Sequence, residues 1–175
     1  MMLEQVELRL KEFLTNASKV ALLTVGNILN SDDGVGHAIF RDHLQDIKPD
    51  DGWFVRDVEL MPENFLAPLR RWGPSHLLLV DAIQVGAQPG EVLLFSKEEI
   101  IGGSNQLSTH SLPLSSFITE LERETSSIKV LGVGVQVQTS EFGVEALSPP
   151  VYSTAHALGK LLAQLIMQHQ LEVSN

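Results

Sequence analysis

The stretch KVALLTVG, residues 19–26, is the segment of this 175-residue chain that decides its fold. Its apolar residues run almost without polar alternation, which is the pattern of a strand covered on both faces. The stretch HLLLVDA at residues 76–82 has the same pattern, and the Val- and Gly-rich KVLGVGVQ at residues 129–136 is a further strand of this kind. Such strands occur mainly in parallel sheets between helices. The stretch at residues 19–26, together with the two strands like it, therefore predicts an α/β protein.

Segments with apolar residues at helical spacing lie between these strands, as expected if helices cover both faces of the sheet. Ser31 or Asp32 is the predicted cap of the helix that begins at Asp33. The predicted helices are Leu3–Leu14, Asp33 to the breaker PDDG at residues 49–52, Pro62–Gly73, Leu114–Leu121 and a long closing helix that opens at Ser148-Pro149-Pro150. Shorter strands are predicted at Trp53–Asp57 and Glu91–Phe95, and a polar loop at Ile101–Thr109.

The link between the third and fourth strands, DAIQVGAQPGE at residues 81–91, has no room for a crossover helix. A parallel connection usually needs a dozen or more residues. The fourth strand is therefore expected either to run antiparallel or to lie away from the third strand in the sheet. The overall prediction is a mostly parallel sheet with helices on both faces.

Length and composition predict one domain, residues 1–175, that buries roughly two-thirds of its unfolded surface. The chain has no cysteine, which excludes a disulfide framework, a thiolate zinc site and a cysteine nucleophile. Its net charge of −10 argues against binding to nucleic acid or to an anionic membrane. The N-terminal segment has acidic residues and no uninterrupted apolar run, and no stretch approaches the about 20 apolar residues that span a bilayer. A cytoplasmic location is therefore expected.

Three polar residues fall at or beyond the carboxyl ends of predicted strands, the edge at which open α/β sheets bind ligands. Asp81 ends an apolar strand, where a carboxylate is costly to bury unless it meets a cation or good donors. Asp33 starts a helix, whose dipole favours a negative charge by about 0.3–1 kcal/mol, and His110 follows the fourth strand. Singly, each residue has an ordinary structural explanation. Together, two carboxylates and one imidazole suit a borderline divalent ion such as Zn²⁺ or Ni²⁺, with coordination positions left open.

The order of short motifs along the chain resembles one family. The run Gly26–Gly36 reads G-N-x-L-x-x-D-D-G-x-G, which resembles the signature of the hydrogenase maturation endopeptidases that process [NiFe]-hydrogenase large subunits. The further matches, in the same order and spacing, are Asp57 with Pro62-Glu63-Asn64, Val80-Asp81-Ala82, Pro89-Gly90-Glu91, Thr109-His110-Ser111-Leu112-Pro113-Leu114 and Gly134-Val135-Gln136. Each motif is weak alone, but the ordered set is specific.

This resemblance implies both a fold and an activity. The fold is three-layer α/β/α, with a twisted, mixed sheet of five strands in which the fourth is antiparallel. The activity is that of an aspartyl-type endopeptidase that activates a hydrogenase by removing the C-terminal extension of its large-subunit precursor. The resemblance implies catalytic roles for Asp33, Asp57 and Asp81, and contact of Asp33, Asp81 and His110 with nickel that the precursor already holds. Other divalent ions such as Zn²⁺ or Cd²⁺ are expected to fit the same site, and a monomer or weak oligomer is expected.

The sequence departs from the family pattern at three places. After Asp57 the family usually has Gly-Gly or Gly-Thr, whereas this chain has Val58-Glu59, which is expected to add a side chain and a negative charge near the cleft. Val137 stands where family members often have proline, and the helix within residues 1–18 is an N-terminal extension. These changes leave the metal trio intact and concern which hydrogenase is the substrate.

Two mechanisms fit these residues. In the first, nickel polarises the scissile carbonyl or holds the attacking water, and Asp57 or a member of the trio is the general base. In the second, nickel only positions the precursor and a carboxylate activates water unaided. The sequence leaves both open.

Other α/β classes lack a required residue. A response-regulator receiver domain shares the acidic pair and the Asp after the third strand, but it needs a Lys at the end of its fifth strand, and neither Lys nor Arg lies between Lys129 and Lys160. Neither Gly34-Val35-Gly36 nor Gly132-Val133-Gly134 completes the G-x-G-x-x-G of a dinucleotide site. The G-x-S-x-G elbow of serine hydrolases is also missing. A catalytically silent protein that binds the same partner remains the alternative.

Overall fold

A single sheet of five strands organises the structure, a computed structural model that describes residues 1–47, 51–102, 111–125 and 128–173. The strands are β1 (Val20–Val25), β2 (Trp53–Glu59), β3 (His76–Ile83), β4 (Val92–Ser96) and β5 (Lys129–Gln136). Their order across the sheet is β2-β1-β3-β5-β4, and only the β4–β5 pairing is antiparallel. The predicted α/β fold with an antiparallel fourth strand is confirmed. Both alternatives predicted from the short link after β3 are found together. Strand β4 runs antiparallel, and it lies at the sheet edge, separated from β3 by β5.

Helices cover both faces of this sheet. They are α1 (Leu3–Leu14), α2 (Val35–Ile39), α3 (Leu66–Trp72), α4 (Lys97–Gly102), α5 (Ser111–Glu124) and α6 (Pro149–Val173). A 3-10 turn, Ser31–Gly34, leads into α2, a π-helical turn, Phe40–Leu44, continues it, and a second 3-10 turn, Pro62–Phe65, leads into α3. No helix among the described residues is long and apolar enough to cross a membrane.

An apolar core lies on each face of the sheet. Alternate residues of a strand point to opposite faces, so Leu22 and Val80 pack with α1, α2 and α6, whereas Leu23 and Leu79 pack with α3 and α5. Helix α1 contributes the buried residues Val6, Leu10 and Leu14 to the first core. Burial on both faces explains why the strands are apolar throughout.

Three local predictions need correction. The helix predicted from Asp33 is divided into three helical segments of different geometry. Neither Ser31 nor Asp32 caps it, because both lie inside the 3-10 turn and their side chains bind the distant segment 138–148 instead. The loop predicted from Ile101 starts later, because Ile101 and Gly102 close α4, and the remainder of that loop, residues 103–109, lies outside the described residues.

His76, the first residue of β3, makes stability dependent on pH. Its side chain is buried with only 3% exposure and meets the ring of Phe13 edge-on at 5.0 Å. Burial, followed by the charges of Lys129 and His169, lowers the pKa of His76 from 6.5 to about 4. Because the folded pKa lies below the unfolded one, the unfolded chain binds the proton more tightly as pH falls below 6.5.

We expect this histidine alone to remove about 2 kcal/mol of unfolding free energy between about pH 7.5 and about pH 5. Urea unfolding at the two pH values measures the loss. The His76→Leu variant is the control, because it has no proton to bind there and its pH dependence is expected to be smaller by that amount. An equal pH dependence in both proteins would contradict the assignment.

Candidate active site at the carboxyl edge of the sheet

The register of the central strands brings two predicted site residues to one edge of the sheet. Thr24 of β1 is in register with Asp57 of β2 on one side and with Val80 of β3 on the other. Neighbouring strands lie about 4.8 Å apart, so Asp57 and Val80 are about 10 Å apart across Thr24. Asp81 follows Val80 and therefore points to the opposite face of the sheet, the face covered by α3 and α5. The edge thus presents Asp57 on the α2 side and Asp81 on the α5 side.

The loop after β1 folds back over the strand end and brings Asp33 to the same edge. The backbone N–H of Asn27 donates to the carbonyl oxygen of Asp33 at 3.1 Å, and a Cβ on Gly26 would collide with that oxygen. The 3-10 turn that carries Asp33 packs against β3, which carries Asp81. The structure therefore brings Asp33 and Asp81 to one region, where the residues are only 3% and 5% exposed.

Burial makes these two carboxylates chemically significant. The Asp81 Oδ1 atom accepts a hydrogen bond from the backbone N–H of Ala82 at 2.8 Å. A carboxylate removed from water needs donors or a cation to offset its lost hydration. Two such groups in one region of the sheet edge favour nearby positive charge or hydrogen-bond donors.

His110, the third member of the predicted trio, lies outside the described residues. Helix α5 begins at the following residue, Ser111, and packs on the face of the sheet to which Asp81 points. Among the residues that the structure describes, no group of three or more His, Asp or Glu side chains is arranged to hold a metal ion. The metal role of the trio accordingly stays a prediction.

Asp57 has a partner that sequence reasoning missed. Its Oδ2 atom lies 2.6 Å from Nδ1 of His37 in α2, and its Oδ1 atom accepts a hydrogen bond from the Thr24 hydroxyl at 3.1 Å. The Asp57 side chain is 9% exposed and that of His37 is 27% exposed. The sequence offered two weak signals: a hydroxyl inside an apolar strand, and a histidine four residues after Asp33.

The departure from the family pattern after Asp57 has a structural outcome. Val58 does not enter the cleft, because it is 3% exposed and packs into the core beneath α3 and α5. Glu59 is exposed and adopts a φ of 50°, in the left-handed region that favours glycine. Its carbonyl oxygen accepts a hydrogen bond from Gly26 N–H at 3.1 Å, so the backbone bend is part of the connection to the Asp33 loop.

Asp32 fixes the position of the same loop. It is fully buried, and its carboxylate accepts hydrogen bonds from the backbone N–H groups of Gln138, Thr139 and Ser148 and from the Ser148 hydroxyl, at 2.6–3.1 Å. The two neighbouring acids of the motif therefore differ in use. Asp32 ties the loop to residues 138–148, whereas Asp33 is the predicted metal contact.

Gln136, at the end of β5, performs a similar task for the link after β3. Its Oε1 atom accepts from the N–H groups of Val85 and Ala87 at 2.9 and 3.2 Å, and its Nε2 atom donates to Gln84 and to the Val137 carbonyl. This explains the glutamine in the Gly134-Val135-Gln136 motif as a support for the backbone that follows Asp81.

A cavity of about 290 Å³ opens beside the Asp33 loop on the α2 side of the sheet. Ile28 and Gly34 of the loop, His37 and Ala38 of α2, and Tyr152 of α6 are among the residues that line it. His37, the partner of Asp57, therefore lines a space that is large enough for part of a peptide.

Comparison with known proteins gives a consistent result. Residues 42–165 match the family model described as "HycI: Hydrogenase maturation protease". The chain is 32% identical over 112 residues to the hydrogenase 3 maturation protease of Escherichia coli K12, which covers 64% of this chain and 70% of that protein. It is also 26% identical over 135 residues to a putative hydrogenase maturation protease of Methanocaldococcus jannaschii, which covers 74% of this chain and 78% of that protein.

Solved structures extend the similarity to the fold. The [NiFe] hydrogenase maturation protease HycI of Thermococcus kodakarensis superposes with a TM-score of 0.79 over 91% of this chain and 99% of that one, at 22% identity. The hydrogenase maturating endopeptidase HybD of E. coli superposes with a TM-score of 0.70 over 86% and 93%, at 27% identity. The first similarity, below 25% identity, concerns the fold alone.

Proposed function

The chain belongs to the hydrogenase maturation protease family and is therefore a peptide hydrolase, and from that premise we propose that it removes the C-terminal extension of a nickel-loaded [NiFe]-hydrogenase large-subunit precursor. The observation that carries the proposal is the pair of buried carboxylates, Asp33 and Asp81, at the edge of the sheet where an α/β protein binds its ligand. Their burial supports a role in binding a cation and not merely in solubility.

Nickel is part of the substrate in this proposal. Asp33, Asp81 and His110 would contact the ion that the precursor carries, so that only a precursor with its metal in place is cleaved. Three ligands without a thiolate, with a position left open, suit a borderline divalent ion that must be shared with a second protein. Zn²⁺ or Cd²⁺ would fit the same ligands.

The test compares two forms of one precursor. We expect the purified chain to shorten the nickel-loaded precursor and to leave the metal-free form intact. Asp33→Asn and Asp81→Asn keep the volume but remove the charge, and we expect each to lower the cleavage rate by about 100-fold, in line with the loss of a metal contact. The readout is the mass of the processed subunit over time.

Asp46→Asn is the matched control, because Asp46 is an exposed carboxylate between the π-helical turn and β2, outside the segments that carry the predicted site residues. It is expected to cleave at the unchanged rate. Equal cleavage of the two precursor forms would exclude nickel recognition, and no cleavage of either form by the unaltered chain would exclude the proposed substrate.

A further inference from the structure

The carboxylate of Asp57 is occupied by donors from inside the protein. Its Oδ1 atom accepts from the Thr24 hydroxyl at 3.1 Å and from the Glu59 N–H at 3.2 Å, and its Oδ2 atom meets the His37 Nδ1 atom at 2.6 Å. The Asp57 side chain is 9% exposed, against 27% for His37. The carboxylate therefore lies behind the imidazole, and the imidazole is the member of the pair that water can reach.

This contact selects one form of the His37 ring. A carboxylate only accepts hydrogen bonds, so the Nδ1 atom of a neutral His37 carries the hydrogen and the Nε2 atom keeps its lone pair. No protein group among the described residues hydrogen-bonds to His37 Nε2. The ring lines the cavity beside Ile28 and Gly34 of the Asp33 loop.

His37 also lies close to the part of the sheet edge where Asp33 is predicted to contact nickel. Asp33 lies in the 3-10 turn that leads directly into α2, the helix that carries His37. Gly34, the residue after Asp33, lines the same cavity as His37. A water molecule between a bound precursor and the cavity would therefore lie within reach of the imidazole.

We propose that His37 Nε2 is the general base of the cleavage reaction and that Asp57 is its positioning residue; this inference rests on the proposed function. Nε2 takes one proton from water while the water oxygen bonds to the scissile carbonyl carbon. The carbon–nitrogen bond then breaks, and the imidazolium returns the proton to the departing amine. The products are one carboxylic acid and one amine, and His37 ends as it began. The nearby Asp57 holds the ring in one tautomer and one orientation, as a buried aspartate does for other catalytic histidines.

The first test replaces the base and then supplies it from solution. With the nickel-loaded precursor, His37→Ala is expected to lower kcat by about 10²–10³-fold and to change KM by less than about 3-fold. Added imidazole is expected to restore part of the kcat of His37→Ala and none of the kcat of Asp33→Asn. An unchanged kcat in His37→Ala, or no response to imidazole, would overturn the assignment. His37→Gln, with thermal unfolding of each variant, separates loss of the base from loss of the fold.

The second test separates positioning from direct catalysis. Asp57→Asn is expected to lower kcat by about 10–100-fold in the native chain and to have little further effect in His37→Ala, because its effect passes through the imidazole. If Asp57→Asn lowers kcat in His37→Ala by as much as it does in the native chain, Asp57 acts independently of His37 and the proposal is overturned. If the native chain cleaves both precursor forms equally, the nickel assignment fails while this test still reports on His37.

Discussion

Replacement of Asp32 by alanine is expected to lower the free energy of unfolding by about 3–5 kcal/mol. The side chain is fully buried, and its two oxygens accept hydrogen bonds from Gln138, Thr139 and Ser148. Alanine would leave these donors without an acceptor, three of them backbone N–H groups that cannot turn away. Urea unfolding of the purified variant measures the loss.

Two further variants provide comparisons for Asp32→Ala. Asp32→Asn should also be strongly destabilising, because an amide nitrogen would replace one acceptor oxygen and face a donor. Asp46→Asn, at an exposed carboxylate, should change stability by less than about 0.5 kcal/mol. A loss below about 1 kcal/mol in Asp32→Ala would mean that the loop does not depend on this carboxylate.

Substitution of Gly36 by alanine is expected to cost about 2–3 kcal/mol, although alanine is the better helix former. A Cβ at this position would collide with the Val25 carbonyl oxygen and lie 2.9 Å from the Val25 carbon and nitrogen, all of them backbone atoms of β1. Helix α2 would have to move away from the sheet and would carry His37 away from Asp57. We therefore expect loss of cleavage activity together with loss of stability.

Gly102→Ala is the control for Gly36→Ala. Gly102 is the last residue of α4, and a Cβ there would meet no atom of the described residues within 4 Å. Its unfolding free energy should change by less than about 1 kcal/mol in either direction. Equal effects at the two glycines would show that close packing of α2 on β1 is not the cause. Chemical unfolding measures the stability of each glycine variant, and the cleavage assay measures its activity.

The apolar strands were predictable because a strand that is buried on both faces is apolar at nearly every position. The strand prediction at residues 129–136 agrees with β5 to the residue, and the short link after β3 anticipated an unusual placement of β4. The end of the third strand in turn indicated Asp81. These inferences needed only local pattern and the rule that ligands bind at the carboxyl edge of such sheets, whereas Asp57 was indicated by the resemblance to the family.

The partners of the acidic residues were not predictable in the same way. The sequence predicts Ser31 or Asp32 as a helix cap, because a short polar side chain before a helix usually binds the nearest N–H groups. The actual donors to Asp32 are more than 100 positions away in sequence, and a local pattern contains no information about them. The local pattern does not indicate His37 for the same reason, since its contact with Asp57 depends on the pairing of β1 with β2.

The sequence by itself determined the α/β class and the membership of the sheet, because apolar periodicity and chain length restrict these features locally, and it predicted the edge at which the chemistry takes place. Only the tertiary structure decided which acid holds the loop and which contacts an imidazole. Asp32 and Asp57 are the same kind of side chain, and their different uses follow from what the fold places against each carboxylate: backbone N–H groups against Asp32 and the Nδ1 of His37 against Asp57.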